Sequence, residues 1–118
     1  MNLTWRDAAD SDLPLLAEWN LQLIRDEAHR NPMNVVQLEE RMRGWLQRGE
    51  YRAILFSAQE EPMAHAVFRR EESLIHLRQF FVRRDRRRMG IGRAAIALLR
   101  KEVWPRDVRL TVDVLCHN

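Results

Sequence analysis

One segment of the sequence has residue types and a spacing that suit the binding of a phosphate group. It starts at the apolar residues Phe80 and Phe81, continues through five arginines between positions 83 and 88, and ends at Gly90 and Gly92. A helix that begins at these glycines would offer unpaired N–H groups and a partial positive charge to an anion. Glycine also lets an anion approach the backbone closely, and the arginines add planar donors. We therefore predict a phosphate-binding turn between a strand and a helix.

Two general phosphate-binding motifs fit this segment less well. In the dinucleotide-binding pattern G-x-G-x-x-G, the third glycine would be replaced by Ala95, which the looser form of the pattern allows. That turn would be expected near the start of a chain, and it is not typically rich in arginine. The P-loop needs Gly-Lys followed by Ser or Thr, and this ending is absent from the segment.

A third pattern fits the segment better. Arg87-x-x-Gly90-x-Gly92 has the form [Q/R]-x-x-G-x-[G/A], and the strand before it ends at Val82. In this it resembles the pyrophosphate loop of the GNAT superfamily of N-acetyltransferases. The resemblance implies acetyl-CoA as the co-substrate and no metal. It extends over nearly the whole chain, because the predicted order of elements is also that of the family.

Hydrophobic periodicity, capping residues and turn residues predict this order as β-α-α-β-β-β-α-β. Strands are expected at 2–6, 51–57, 63–69, 74–82 and 108–114. Helices are expected at about 13–28, between the capping residue Asn34 and Gly49, and from Ile91 until Pro105 stops the last one. The predicted fold class is therefore α/β, of the α+β type, with a central mixed sheet and helices on both faces.

Length and composition limit the class of protein. The 118 residues suffice for one domain, residues 1–118, and no apolar run approaches the roughly 20 residues that cross a bilayer. The N-terminus lacks the apolar core of a signal peptide. Cys116 is the single cysteine and cannot form an internal disulfide, so we expect a cytoplasmic protein without a membrane partner. No His, Cys and Asp residues have the spacing of metal ligands.

Charge is distributed unevenly along the chain. Residues 1–50 carry nine acidic and six basic residues, a net charge of −3, whereas residues 51–118 carry eight and fourteen, a net charge of +6. The first half could suit a cationic substrate and the second half an anion. Nucleic-acid binding through the arginines at 83–88 is an alternative. No aromatic residue lies among those arginines and no recognition motif is present, so no nucleic acid partner is expected.

The resemblance implies which residues contact the cofactor. Backbone groups of Phe80, Phe81 and Val82 would pair with the pantetheine arm as if it were an added strand. A backbone N–H near Phe81 or Val82 would donate to the thioester carbonyl oxygen. The pyrophosphate would lie against Arg87, Arg88, Met89, Gly90, Ile91, Gly92 and Arg93.

His76 is the candidate general base. It lies six residues before Val82, where histone-acetylating members of the family carry a glutamate, and a histidine can accept a proton near neutral pH. If the alternation of the strand is unbroken, His76 shares a face with Arg78, Phe80 and Val82. The alternative is a hydrogen-bonded structural histidine, and many family members have no side-chain base. For His65, in the preceding strand, the structural role is favoured.

The end of the chain differs from the family pattern. Asn118 resembles the Asn that opens a further helix in the family, so it is included among the candidate cofactor-binding residues. The helix and the two strands that follow in the family are absent, and that helix often carries a tyrosine that protonates the departing thiolate. Either the natural chain is short, or it was cut, or another chain supplies the missing part. The edge of the fifth strand would then be open, which predicts a homodimer paired through it.

The resemblance to the family implies an N-acetyltransferase that transfers the acetyl group of acetyl-CoA to a primary amine by direct attack. It also implies that the acceptor, a small-molecule or peptide amine, binds in a pocket lined by the connection between the first two helices, here residues 26–34. Asp26, Glu27 and His29 in that connection could contact the amine. The alternative is a catalytically weak or inactive acyl-CoA-binding module that another chain completes.

Overall fold

A computed structural model describes residues 2–26 and 31–112 of the chain. The five strands are β1 (Leu3–Asp7), β2 (Arg52–Ala58), β3 (Glu61–Glu71), β4 (Leu74–Val82) and β5 (Arg109–Val112). The three helices are α1 (Leu13–Asp26), α2 (Val35–Gln47) and α3 (Ile91–Leu98), the last of which continues as a π-helical turn over Leu99–Val103. None of the helices in these residues is long and apolar enough to span a bilayer.

The strands form one mixed sheet in the order β1-β2-β3-β4-β5. Strands β1 to β4 pair with one another in antiparallel fashion. Strand β5 pairs in parallel with β4, and α3 forms the crossover between them. This sheet and the element order confirm the predicted fold class. The β2–β3 turn is tighter than expected, since Gln59 and Glu60 both have positive φ and β3 already begins at Glu61. The predicted end of the first helix at residue 28 and that of the fifth strand at residue 114 lie outside the described residues.

Local sequence signals set the ends of α2. The Asn34 side chain accepts a hydrogen bond from the Gln37 N–H at 2.9 Å, and the Gln37 side chain accepts one from the Asn34 N–H at 2.9 Å. This capping box satisfies two N–H groups that the helix cannot pair internally. Gly49 has a φ of +67°, the left-handed conformation that follows many helices.

Two apolar layers cover the two faces of the sheet. On one face, Ile91, Ala95 and Leu99 of the α3 segment pack against β-strand residues such as Phe56 and Ile75. On the other face, α1 and α2 cover the sheet, and the buried residues there include Leu16, Trp19, Met42, Trp45, Leu55 and Phe81. Phe80 and Val82 pack on the α3 side, and their neighbour Phe81 packs on the α1/α2 side.

A β-bulge at Arg78 changes which side chains of β4 share a face. Val67 of β3 lies opposite Gln79 and the next residue lies opposite Leu77, so Arg78 has no partner in the ladder. Before the bulge the α3 face is formed by odd-numbered residues such as Leu77, and after it by even-numbered residues such as Phe80. The alternation is therefore broken, and the expectation that His76 shares a face with Phe80 and Val82 is wrong. The sequence carried a signal of this, because the apolar pattern shifts phase between positions 77 and 80.

The pairing of β4 with β5 is short in the described part of the chain. It joins Leu74–Leu77 to Arg109–Val112, so among the described residues no strand lies beside Gln79–Val82 on the β5 side. The backbone groups of this stretch that point away from β3 therefore have no ladder partner there. Such an edge is where an extended ligand can add to a sheet.

Candidate functional site

The loop between β4 and α3 has the backbone geometry that its glycines predict. Gly90 is the residue before the first turn of α3 and has a φ of +80° in the left-handed region. Arg88 also has a positive φ, +67°, which costs a residue with a side chain roughly 1–2 kcal/mol. The backbone thus turns sharply enough to set the start of α3 beside the end of β4. The N–H groups of the first turn of α3 are unpaired within the helix and attract an anion.

Gly92 lies against the end of β4. A β-carbon built at this position would lie 3.6 Å from Phe80 Cε2 and 3.7 Å from Val82 Cγ2. These are ordinary van der Waals contacts, so alanine would also fit at this position. This space is consistent with the pattern [Q/R]-x-x-G-x-[G/A], which accepts glycine or alanine at the position of Gly92.

The five arginines of the loop differ in which carboxylate they contact. Arg83 donates to Glu61 at 2.6 Å and to Asp85 at 2.7 Å, and it also donates to the carbonyl of Pro62 at 3.2 Å. Arg83 therefore ties the end of β4 to the start of β3. Its positive charge also lowers the pKa of Glu61 and of Asp85, chiefly through these hydrogen bonds.

Asp26, the last residue of α1, binds two further arginines of the loop. It forms an ion pair with Arg84, and its Oδ2 lies 3.2 Å from Nη2 of Arg87. Arg87 also donates from Nε to the carbonyl of Val82 at 3.0 Å, and its guanidinium carbon lies 5.2 Å from the centroid of the Phe81 ring. Arg87 thus joins the loop to β4 and to α1. Its predicted contact with a pyrophosphate stays a prediction.

Arg88 and Arg93 differ from these arginines. Both are exposed, and neither side chain forms an ion pair or hydrogen bond with a residue in 2–26 or 31–112. They flank the glycines at the start of α3, one before and one within the first turn. Within the described residues, they are the cations of this site whose charge no carboxylate balances, and a phosphate would be attracted to them.

A cavity of about 750 Å³ lies next to the loop, and its lining residues include Met63, Arg86, Met89 and Ile91. A second cavity of about 520 Å³ lies near the start of β4 and is lined by Phe68, Ile75 and Trp104 among others. The first is adjacent to the predicted pyrophosphate site, whereas the second lies at the opposite end of β4. Neither is lined by residues 79–82.

His76 lies where β4 pairs with β5. Its Nδ1 is 3.1 Å from Thr111 Oγ1, and the Thr111 hydroxyl donates to the carbonyl of Ile75 at 3.4 Å. Because that hydroxyl proton is used, the Thr111 oxygen can accept from Nδ1–H of His76. The side chain is half-buried, on the opposite face from Phe80. A structural hydrogen bond is therefore present, and the role of His76 as a general base stays a prediction.

His65 is fully buried beneath α1. Its Nε2 lies 3.2 Å from Oε1 of Gln79, and its ring stacks on Trp19 with centroids 5.7 Å apart. Burial lowers the pKa of His65 to about 4, despite the smaller opposite effect of the Gln79 hydrogen bond. The ring is therefore neutral at pH 7, which agrees with the structural role expected for it.

Sequence reasoning missed two features of this region. Asp26 was named only as a residue that could contact the acceptor amine, and its carboxylate binds Arg84 and Arg87 of the loop. Gln79 was not singled out, although it partners the buried His65. Glu27, His29, Cys116 and Asn118 lie outside the described residues. Within the described part, no three His, Cys, Asp or Glu side chains form a group that could hold a metal.

We expect His65 to make the stability of the protein depend on pH. The unfolded chain binds a proton at this residue below about pH 6.5 and the folded chain does so only near pH 4, so stability is complete above 6.5 and falls as the pH drops toward 4. The loss between pH 7 and pH 5 should be about 2 kcal/mol. Urea unfolding of the protein and of His65→Leu at both pH values measures it.

His65→Leu is expected to be less stable than the original protein at pH 7, but to lose much less stability than that protein between pH 7 and pH 5. Val67→Ala is the control: it removes apolar volume from the same buried layer but no titratable group, and it should retain the pH dependence of the original protein. Equal losses in the protein and in His65→Leu would show that His65 is not the group responsible.

The whole chain was then compared with known proteins. The model of the acetyltransferase (GNAT) family matches residues 14–118. No curated protein matches the sequence. Similar solved structures include a possible acetyltransferase from Clostridium difficile 630, with a TM-score of 0.79 and 13% identity over 100% of this chain and 82% of that one.

Two further structures give the same fold. An acetyltransferase from Thermus thermophilus has a TM-score of 0.76 and 18% identity, covering 95% of this chain and 75% of that one. A predicted acetyltransferase with acetyl-CoA from Clostridium acetobutylicum has a TM-score of 0.69 and 14% identity, covering 94% and 80%. The family match over most of the chain and the shared fold lead to one conclusion: the chain belongs to the GNAT family of acetyltransferases.

Proposed function

We propose that this protein transfers the acetyl group of acetyl-CoA to the amine of a small molecule or a peptide. The observation that carries the proposal is the start of α3, where left-handed Gly90 and the unpaired Arg88 and Arg93 surround free helix N–H groups. A diphosphate needs such donors and such positive charge. The acetyl-CoA bound to the similar structure from Clostridium acetobutylicum supports this choice of ligand.

The end of β4 would hold the rest of the cofactor. Gln79–Val82 has no strand beside it on the β5 side within the described residues, so the amide groups of a pantetheine arm could pair with it. The arm would lead from the pyrophosphate at α3 toward the bulge at Arg78. A backbone N–H near Phe81 or Val82 would then donate to the thioester oxygen and stabilise the negative charge that develops during attack.

The chemistry at the acetyl group is a direct displacement. The neutral amine attacks the thioester carbonyl carbon, a C–N bond forms, the C–S bond breaks, and the thiolate of CoA leaves. The amine must lose a proton, and His76 is the side chain proposed to accept it. Asn118, the expected homodimer through the β5 edge and the cytoplasmic location stay predictions.

The first test replaces Gly90 with alanine and measures acetyl-CoA binding by calorimetry. Gly90→Ala places a side chain on a residue with a φ of +80° and obstructs the approach of a phosphate to the backbone, so binding should be lost or greatly weakened. Gly49→Ala is a matched control. Gly49 also has a positive φ, +67°, and at both glycines a β-carbon would meet nothing within 4 Å.

Both variants should therefore lose similar stability, about 1 kcal/mol, whereas acetyl-CoA binding should be lost in Gly90→Ala alone. Unchanged binding in Gly90→Ala would contradict the assignment of the loop. Binding without any release of CoA thiol in the presence of amines would favour the acyl-CoA-binding module instead of the enzyme.

The second test distinguishes the unpaired arginines from the others. Arg88→Gln and Arg93→Gln should each weaken acetyl-CoA binding roughly tenfold, because each removes a charge-assisted hydrogen bond to phosphate. Neither should lower the melting temperature, since neither side chain has a partner among the described residues. Arg100→Gln changes an exposed arginine farther along the same helical segment and should bind normally. Equally weakened acetyl-CoA binding in all three variants would indicate a general effect of net charge and would contradict the specific role of Arg88 and Arg93.

The third test concerns His76. If it accepts the proton of the amine, His76→Gln should lower kcat at saturating acetyl-CoA and amine. The affinity for acetyl-CoA should stay the same, because the imidazole is not among the groups that would hold the cofactor. An unchanged kcat in this variant would leave His76 the structural role that its Thr111 contact already provides.

A further inference from the structure

On the α1/α2 side of the sheet, two arginines contact the same aromatic ring, that of Trp45. The guanidinium carbon of Arg41, on α2, lies 4.6 Å from the centroid of the Trp45 ring. That of Arg78, at the β4 bulge, lies 5.2 Å from the Trp45 centroid and 6.0 Å from that of Tyr51. We call Arg41 and Arg78 the arginine pair. Its members come from different elements, and both guanidinium carbons lie within 5.2 Å of the centroid of the same ring.

Among the described residues, no carboxylate balances the positive charge of the arginine pair. Neither side chain forms an ion pair or hydrogen bond with the described part of the chain, and the Nε atom of Arg41 is buried without a partner there. Burial, and then the charge of Arg78, lower the pKa of Arg41. Two like charges in a half-buried site are unfavourable until an anion joins them.

Neighbouring arginines show the contrast. Arg43, two residues along α2, forms ion pairs with Glu39 and Glu40. Arg69, whose guanidinium carbon lies 5.4 Å from the centroid of the Tyr51 ring, has its Nε 2.9 Å from Glu71 Oε1. Carboxylates thus pair with the arginines beside the arginine pair, whereas none in residues 2–26 or 31–112 pairs with Arg41 or Arg78.

The position of Arg78 relates the pair to the proposed reaction. Arg78 is two residues before Phe80 and four before Val82, which corresponds to about 7–13 Å along a strand. The bulge turns Arg78 toward α1 and α2, whereas Phe80 and Val82 face α3. The arginine pair therefore lies on the α1/α2 side of the sheet, the side on which the resemblance to the family implies an acceptor pocket.

We propose that the arginine pair binds an oxyanion, a carboxylate or a phosphate, carried by the amine acceptor. This inference rests on the proposed function and names the substrate class: amines that bear an oxyanion several bonds from the nitrogen. Stacking on Trp45 holds the planar guanidinium groups in place, which suits bidentate binding of such a group. A short peptide with a free carboxylate or a long ω-amino acid has the required separation of amine and anion.

Direct binding of the anion tests the site without any turnover. Acetate and inorganic phosphate are titrated into the protein at constant ionic strength set with chloride, and the arginine Nε–H signals are followed by NMR. The signals that disappear in Arg41→Gln or Arg78→Gln identify the pair. We expect these signals to shift saturably with acetate and phosphate, and either substitution to abolish the shift of the remaining partner.

Arg43→Gln is the matched control on the same helix and should leave the response intact. Arg78→Lys, which keeps the charge but not the planar group, guards against a variant that fails to fold and should retain a weaker response. Arginine signals of the pair that do not respond to either anion, or that respond equally after the partner is removed, would overturn the proposal.

Acetylation of 6-aminohexanoate and of its neutral amide tests the same site in the reaction. We expect the acid to be favoured roughly tenfold in kcat/KM, and Arg78→Gln to reduce this ratio to about one with acetyl-CoA affinity unchanged. Equal rates for the two amines in the original protein would overturn the arginine pair as an acceptor site while the acetyltransferase proposal stands. If neither amine is acetylated, the proposed function fails on these acceptors, and the NMR titration alone decides whether the pair binds an oxyanion.

Discussion

Electrostatic repulsion among the five arginines between β4 and α3 is the constraint on which the site depends. Three carboxylates from separate parts of the chain offset it: Asp26 at the end of α1, Glu61 at the start of β3 and Asp85 in the loop itself. Exposed ion pairs contribute at most about 1 kcal/mol each. Together they nevertheless join α1, β3 and the loop. Arg88 and Arg93, beside the start of α3, have no carboxylate partner among the described residues.

The bulge at Arg78 is the second feature on which the site depends. It lets one strand present Phe80 and Val82 to the α3 side and Arg78 and Gln79 to the α1/α2 side within a few positions. The fold itself is shared with other acetyltransferases. A shared fold does not identify the acceptor. That choice depends on side chains of this chain, and the arginine pair on Trp45 is the feature that points to an anionic acceptor.

The sequence by itself determined the element order, the ends of α2 and the position of the glycine-containing turn between β4 and α3. Each of these depends on residues close together in the chain. Asn34 and Gln37 cap α2 across three positions, and Gly49 and Gly90 adopt the left-handed φ that glycine tolerates best. The family motif is equally local, which is why it could be recognised without the fold. The phase shift in β4 was visible in the sequence too, although it was not used.

Tertiary structure alone decided how these parts meet. Asp26 and Arg84 are 58 residues apart in the chain, and no local pattern shows that they pair. Nor does a local pattern show that Arg88 and Arg93 lack a carboxylate partner within the described part of the chain. The same holds for Arg41 and Arg78, which contact the same indole from two different elements, and for His65, whose neutrality follows from complete burial under α1. The physical reason is common to all three: charge balance and desolvation depend on which distant side chains surround a group, and only the folded chain brings them together.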